Sequence, residues 1–159
     1  MTVITRSIGS PIGPISLAGD GEHLSGAYMT DHKRAPLLDG ATRDDEAFPA
    51  VVRQLSEWFD GGRTSFDLEL APVGTPFQAE VWEALVGIPF GETIGYGELA
   101  AKVGRPGAAR AIGHAVARNP IGIIVPCHRV VGAKGLLTGF AAGVDKKRWL
   151  LDHERRFIP

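Results

Sequence analysis

Cys127 is the single cysteine in a chain of 159 residues, and its immediate neighbours are Pro126, His128 and Arg129. A thiolate is a strong nucleophile and a thiol a weak one; with an ordinary pKa of about 8.5, only a few per cent of a free thiol is ionised at neutral pH. Roughly 1.5 units of depression makes it half ionised, and nearby positive charge supplies that much. His128 is the candidate base, and Glu154, Asp152 and Asp145 are the carboxylates nearest in sequence that can orient it. A lone intracellular cysteine is also often just a small buried hydrophobe, so the case for covalent chemistry rests on its neighbours rather than its type. In a regular strand, residues 127 and 128 would point to opposite faces. Either the strand ends at Pro126, or a water carries the proton between them.

Composition narrows the setting. One cysteine excludes an internal disulfide, and His23, His32, His114, His128 and His153 are scattered without metal-ligand spacing, so no metal is expected. Neither a run of roughly 18 apolar residues nor a secretory start is present, which leads us to expect a soluble cytoplasmic protein with no membrane partner. Net charge is −1, but residues 1–74 carry six Lys/Arg against eleven Asp/Glu, and residues 75–159 carry eleven against seven. No carboxylate lies between Glu98 and Asp145, where Lys102, Arg105, Arg110, Arg118, Arg129 and Lys134 fall. A polyanion can dock there; an ordinary solvated face is the competing reading.

The elements that must position these residues are legible in part. Val3 to Ile8, Ile15 to Ala18 and a run ending near Met29, separated by Gly- and Pro-containing turns, predict an antiparallel meander. Residues 31–45 are polar. Phe48 to Phe59 has helical apolar spacing and stops before Gly61-Gly62, and Phe66 to Leu70 alternates like a strand. Thr75-Pro76-Phe77-Gln78 is a capping box with proline at the first helical position. A second domain is therefore expected over 75–159, after a first over 1–72. Short helices near Tyr96 to Val103 and Ala108 to Arg118, joined by Gly104-Arg105-Pro106-Gly107, predict a helix-turn-helix. The second helix is rich in small residues, including Ala109, Gly113 and Ala117, so it can approach a partner closely or simply pack tightly. Ile121 to Val125 reads as a buried strand, the loop from Gly132 to Gly143 is glycine-punctuated, and Asp145 is expected to cap a final helix ending near Arg156.

Taken in order, Thr75-Pro76-Phe77-Gln78, Val81-Trp82, Ile88 to Thr93, Tyr96-Gly97, Ala108 to Gly113, Asn119-Pro120, Pro126-Cys127-His128-Arg129-Val130-Val131, Gly139-Phe140, Lys147, Leu150-Leu151 and Glu154 resemble the O6-alkylguanine-DNA alkyltransferases. The resemblance covers essentially all of residues 75–155. It implies an α+β fold: a small antiparallel N-terminal sheet with a helix, ribonuclease-H-like, followed by a mostly helical, winged-helix-like domain containing the helix-turn-helix. It implies direct repair of duplex DNA, with Cys127 accepting the alkyl group, His128 acting through a water and Glu154 orienting His128. By the same resemblance Asn119 shapes the adjoining turn and Tyr96 helps rotate the nucleotide. Val130, Phe140, Ala141 and Ala142 would line the base pocket; Arg110 would fill the gap left in the duplex, with Ala109, Gly113 and Ala117 against the minor groove. No cofactor, zinc or obligate protein partner is implied, and a monomer is expected.

Two departures bear on the pocket: Phe140 stands where the family usually has Tyr, and Ala141-Ala142 replace Ser or Gly. Three other readings remain in view. A lesion-binding relative that does not repair would lack the cysteine, and a helix-turn-helix regulator leaves the Pro-Cys-His-Arg-Val run unexplained. A cysteine hydrolase normally draws its base from a distant segment.

Overall fold

The computed structural model describes residues 2–30, 32, 40–137 and 139–159. Three strands, β1 (Ile4–Ile8), β2 (Ile15–Gly19) and β3 (Leu24–Met29), pair antiparallel in succession, as the turn-separated runs predict. A fourth short strand, β4 (Thr42–Arg43), adds parallel to β1, so the sheet order is β3-β2-β1-β4 and the sheet is not purely antiparallel. It comes from the polar segment 31–45; positions 31 and 33–39 of that segment lie outside the described residues. Ile15 and Leu17 point into the core from β2, against helix α1 (Pro49–Phe59), which buries Val51, Leu55 and Trp58.

Phe66 to Leu70 does not form a strand and contributes one parallel bridge, Leu24 to Leu70. Helix α2 (Pro76–Val86) starts with the expected reciprocal cap: Thr75 Oγ1 accepts from Gln78 N at 3.1 Å, and Gln78 Oε1 accepts from Thr75 N at 3.0 Å. After β5 (Ile94–Gly95) come α3 (Tyr96–Lys102) and α4 (Ala109–Ala117). Gly104 and Gly107 turn the chain between them at φ +73° and +86°, in the left-handed region that favours glycine. Trp82 of α2 donates its Nε1 hydrogen to Ala115 O of α4 at 2.9 Å.

The run Ile121 to Val125 is not the buried strand that its composition predicts. It is a tight turn, with Val125 N donating to Ile121 O at 3.1 Å and Ile123 at φ +69°. The reason is Asn119, whose side chain supplies the partners a sheet ladder would have given: Nδ2 donates to Val125 O at 2.8 Å and to Ile121 O at 3.3 Å, and Oδ1 accepts from Ile121 N at 3.0 Å. The turn also bonds to β3, through Ala27 N to Pro120 O at 2.8 Å and Gly122 N to Ala27 O at 3.0 Å. At Gly122 a Cβ would stand 3.1 Å from Met29 Cε and 3.3 Å from Ala27 O, a tight approach that favours glycine.

A 3-10 turn at Cys127–Arg129 leads into β6 (Val130–Val131), which pairs parallel with β5. Helix α5 (Val144–Phe157) closes the chain; its N-cap is Gly143, so Asp145 sits inside the first turn rather than capping it. One apolar cluster runs through both halves, from Leu17 and Trp58 to Leu85 and Leu150. No helix among the described residues is long and apolar enough to cross a membrane.

Candidate functional site

Cys127 opens the 3-10 turn, 8% exposed, with its N–H bonded to Val125 O at 2.8 Å. The strand geometry that would have separated residues 127 and 128 is therefore absent. His128 is wholly buried, and its Nε2 lies 2.7 Å from Glu154 Oε2. A carboxylate accepts only, so Nε2 carries the hydrogen and Nδ1 is left as an acceptor. Nδ1 is buried without a protein hydrogen-bond partner.

Glu154, on the buried face of α5, also takes Arg129: Nε at 2.9 and 3.0 Å from its two oxygens and Nη2 at 2.7 Å from Oε2. Gly91 N donates to Oε1 at 3.0 Å, and Arg129 Nη1 donates to Ile88 O at 2.5 Å. Burial pushes the Glu154 carboxyl pKa up, but the hydrogen bonds from His128 and Arg129 outweigh it and hold the group well below the ordinary carboxylate range. Burial pushes His128 down, against the raising contribution of Glu154, so the imidazole rests neutral.

The thiol differs from the expectation drawn from its neighbours. Burial raises its pKa, opposed by the Asn119 side chain and by the charge of Lys147. Arg129 serves Glu154 and is not among the groups acting on the sulfur. The resting Cys127 is thus a protonated, sheltered thiol that must lose its proton during the reaction.

The cavity above it is lined by Cys127, Tyr96, Asn119, Ala117, Phe140, Ala141 and Ala142, together with Met29 and His32 from the N-terminal half. It holds about 10 Å³, space for a single water. Of the expected pocket residues, Val130 is not brought there; it is fully buried and pairs with Ile94. Tyr96 is half-buried at the start of α3 with its ring over Gly113 of α4, while Arg110 is exposed on α4 and Ala109 half-buried.

Sequence reading assigned no site role to four contributors. Met29 and His32 reach the cavity only through the fold. Trp58 packs edge-on against His128, with centroids 6.3 Å apart, although it lies 70 positions away. Lys147 left a usable signal: with Leu150, Leu151 and Glu154 it falls at positions i, i+3, i+4 and i+7 of α5, and all four are buried. Its ammonium lies 5.9 Å from the Phe140 ring centroid, and burial lowers its pKa. Among the described residues no group of three His, Cys, Asp or Glu side chains comes together to hold a metal ion.

Two family models match the chain: the 6-O-methylguanine DNA methyltransferase ribonuclease-like domain over residues 3–72 and the DNA binding domain of the same family over residues 76–156. The methylated-DNA–protein-cysteine methyltransferase of Mycobacterium bovis is 51% identical over 154 residues, covering 97% of this chain and 93% of that one. Its counterpart from Methanosarcina acetivorans is 53% identical over 146 residues, covering 91% and 94%. The crystal structure of Mycobacterium tuberculosis O6-methylguanine methyltransferase matches with a TM-score of 0.93 at 50% identity, over 99% of this chain and 96% of that one. The structure of Mycobacterium tuberculosis OGT in complex with DNA matches with a TM-score of 0.92 at 49% identity, over 98% and 95%.

Proposed function

The chain belongs to the 6-O-methylguanine DNA methyltransferase family, and from that membership we propose a reaction in which Cys127 is the acceptor and His128 and Glu154 serve it. Its function is direct-reversal repair of methylated DNA by transfer of the methyl group to a protein cysteine. The observation that carries the assignment to Cys127 is the buried Cys127, His128, Glu154 set beneath a narrow cavity, with His128 Nδ1 the one ring nitrogen not committed to Glu154.

The sulfur attacks the methyl carbon in line; the S–C bond forms as the C–O6 bond breaks, and guanine leaves. The thiol proton passes through a water to His128 Nδ1, where Glu154 stabilises the imidazolium, and a proton finally reaches the departing guanine ring. Tyr96 donates a hydrogen bond to that ring. The thioether is stable and nothing restores the thiol, so each molecule acts once and needs no cofactor.

A purine does not fit in the resting cavity, so the walls at Phe140 to Ala142 and at Met29 and His32 part when the base enters. The O6 atom of a stacked base is out of reach, which requires flipping. Arg110 occupies the gap in the duplex, and the small face of α4 at Ala109, Gly113 and Ala117 lies along the minor groove. Residues 75–159 carry DNA and acceptor, and residues 1–72 support them. The protein works as a cytoplasmic monomer without an obligate protein partner.

The test is intact and peptide mass spectrometry after mixing with duplex DNA containing O6-methylguanine, beside a Cys127→Ala control. One methyl per chain, on Cys127 and absent from the control, is expected. Tight lesion binding with no mass change would make the chain a sensor instead.

A further inference from the structure

Trp58 lies in the last turn of α1 in the N-terminal half, is 0% exposed, and reaches the reactive residues in three ways. Its ring stands edge-on to the His128 imidazole, at 6.3 Å between centroids and 74° between planes. Its ring also lies 4.3 Å from that of His153, and its carbonyl accepts a hydrogen bond from His153 Nε2 at 2.8 Å. His153 precedes Glu154 on α5, so the same side chain braces the turn of helix that presents the carboxylate.

The third connection is chemical. Among the described residues, two buried side-chain nitrogen or oxygen atoms have no hydrogen-bond partner, and they are Trp58 Nε1 and His128 Nδ1. They belong to the two rings packed against one another. Indole Nε1 is only a donor; His128 Nδ1, with the ring hydrogen on Nε2, is an acceptor. Buried polar groups left over in natural proteins are commonly satisfied by ordered water, and a single water between these two rings would accept from the indole while donating to the imidazole.

Resting on the acceptor reading above, we propose that Trp58 is a positioning residue of the transfer: it holds the His128 ring in place, and its indole N–H anchors the water through which His128 draws the Cys127 proton. In that step the S–H bond breaks as the water takes the thiol proton, and the water passes one of its own protons to Nδ1, emerging unchanged. The groups acting on His128 are Glu154 and Lys147 of α5 and Arg129 of its own turn, with Cys127 adjacent. Trp58→Phe replaces none of these side chains and keeps the backbone carbonyl that His153 bonds to.

The test uses the full-length protein and single-turnover transfer from duplex O6-methylguanine across pH. Trp58→Phe keeps an aromatic wall and removes the N–H. Phe59→Leu serves as a packing control, because Phe59 touches the rings of Trp58, His153 and Trp149 but not that of His128. We expect Trp58→Phe to bind lesion DNA within twofold of wild type, to transfer about tenfold more slowly, and to shift the pH profile of the rate. Phe59→Leu should melt lower with the wild-type profile. An unchanged rate profile in Trp58→Phe, or an equal change in Phe59→Leu, overturns the proposal. Independently of any variant, NMR of the wild type should show magnetisation passing from a bound water to Trp58 Nε1–H; a dry indole N–H also overturns it. Wild-type protein that gains no methyl would instead refute the acceptor reading itself.

Discussion

Glu154 accepts hydrogen bonds from three residues, Gly91, His128 and Arg129, while itself 1% exposed. One guanidinium, one imidazole N–H and one backbone N–H converge on a single carboxylate, so removing its charge strands a buried guanidinium. Glu154→Gln should therefore cost about 3–5 kcal/mol of stability, the range for breaking a buried pair, seen as a lower denaturant midpoint with an unchanged slope. In protein that remains folded, transfer should slow by at least about 100-fold, the contribution typical of a general base. The cavity walls argue a second outcome. Phe140, Ala141 and Ala142 leave little room beside Cys127, so O6-benzylguanine should label the protein far more slowly than methylated DNA, and Ala141→Gly should narrow the difference. Equal labelling rates in the wild type would contradict this. At this scale Cys127, His128 and Glu154 were legible from residue type and from the resemblance. The direction of Arg129 was not, because a 3-10 turn, unlike a strand, sends it to Glu154 rather than toward the sulfur.

Helix α4 shows what an element contributes beyond its residues. Its Gly113 sits mid-helix, where glycine is less favourable than alanine by about 0.5–1 kcal/mol, and a Cβ there would meet the Tyr96 ring at 3.7 Å, an ordinary contact. Gly113→Ala should thus leave stability equal or raise it by up to about 1 kcal/mol while weakening duplex binding, because the added methyl stands on the face proposed to meet the minor groove. Thermal melting and a DNA titration on the same sample check both halves; unchanged affinity would move the duplex off that face. Arg110→Ala, fully outside the core, should slow transfer from duplex DNA more than transfer from the free base. The α2 cap and the two helices of the turn motif were legible because their signals are local. The segment 121–125 was misread for the converse reason: its apolar run is ambiguous alone, and the Asn119 side chain, not a neighbouring strand, satisfies its backbone.

Across the whole molecule, the contacts that complete the site join distant parts of the chain: His153 reaches Trp58 over 95 positions, and Glu154 reaches Gly91 over 63. No periodicity or spacing encodes such pairs, and this is why the support given by the N-terminal half was invisible in the sequence while the fold class was not. Those buried groups also set how stability varies with pH. Burial holds His128 and His153 below their ordinary 6.5, so below that pH the unfolded chain binds more protons and stability falls. Exposed His23 is raised by its hydrogen bond to Asp20 and acts in the opposite sense, but solvent screens it. Burial holds Cys127 above 9.0, so past that pH the unfolded chain loses a proton that the folded one keeps, and stability falls again. Burial lowers Lys147 from 10.5, opposing that decline, while burial raises Tyr28 from 10.0, adding to it. The methylation proposed at Cys127 would remove the thiol from this set and leave Lys147 and Tyr28 in place. Denaturant midpoints measured from pH 5 to 10 should therefore show the same acid-side decline before and after reaction with methylated DNA, and a shallower alkaline decline after it. An alkaline decline equally steep in the methylated protein would assign that loss to groups other than the Cys127 thiol.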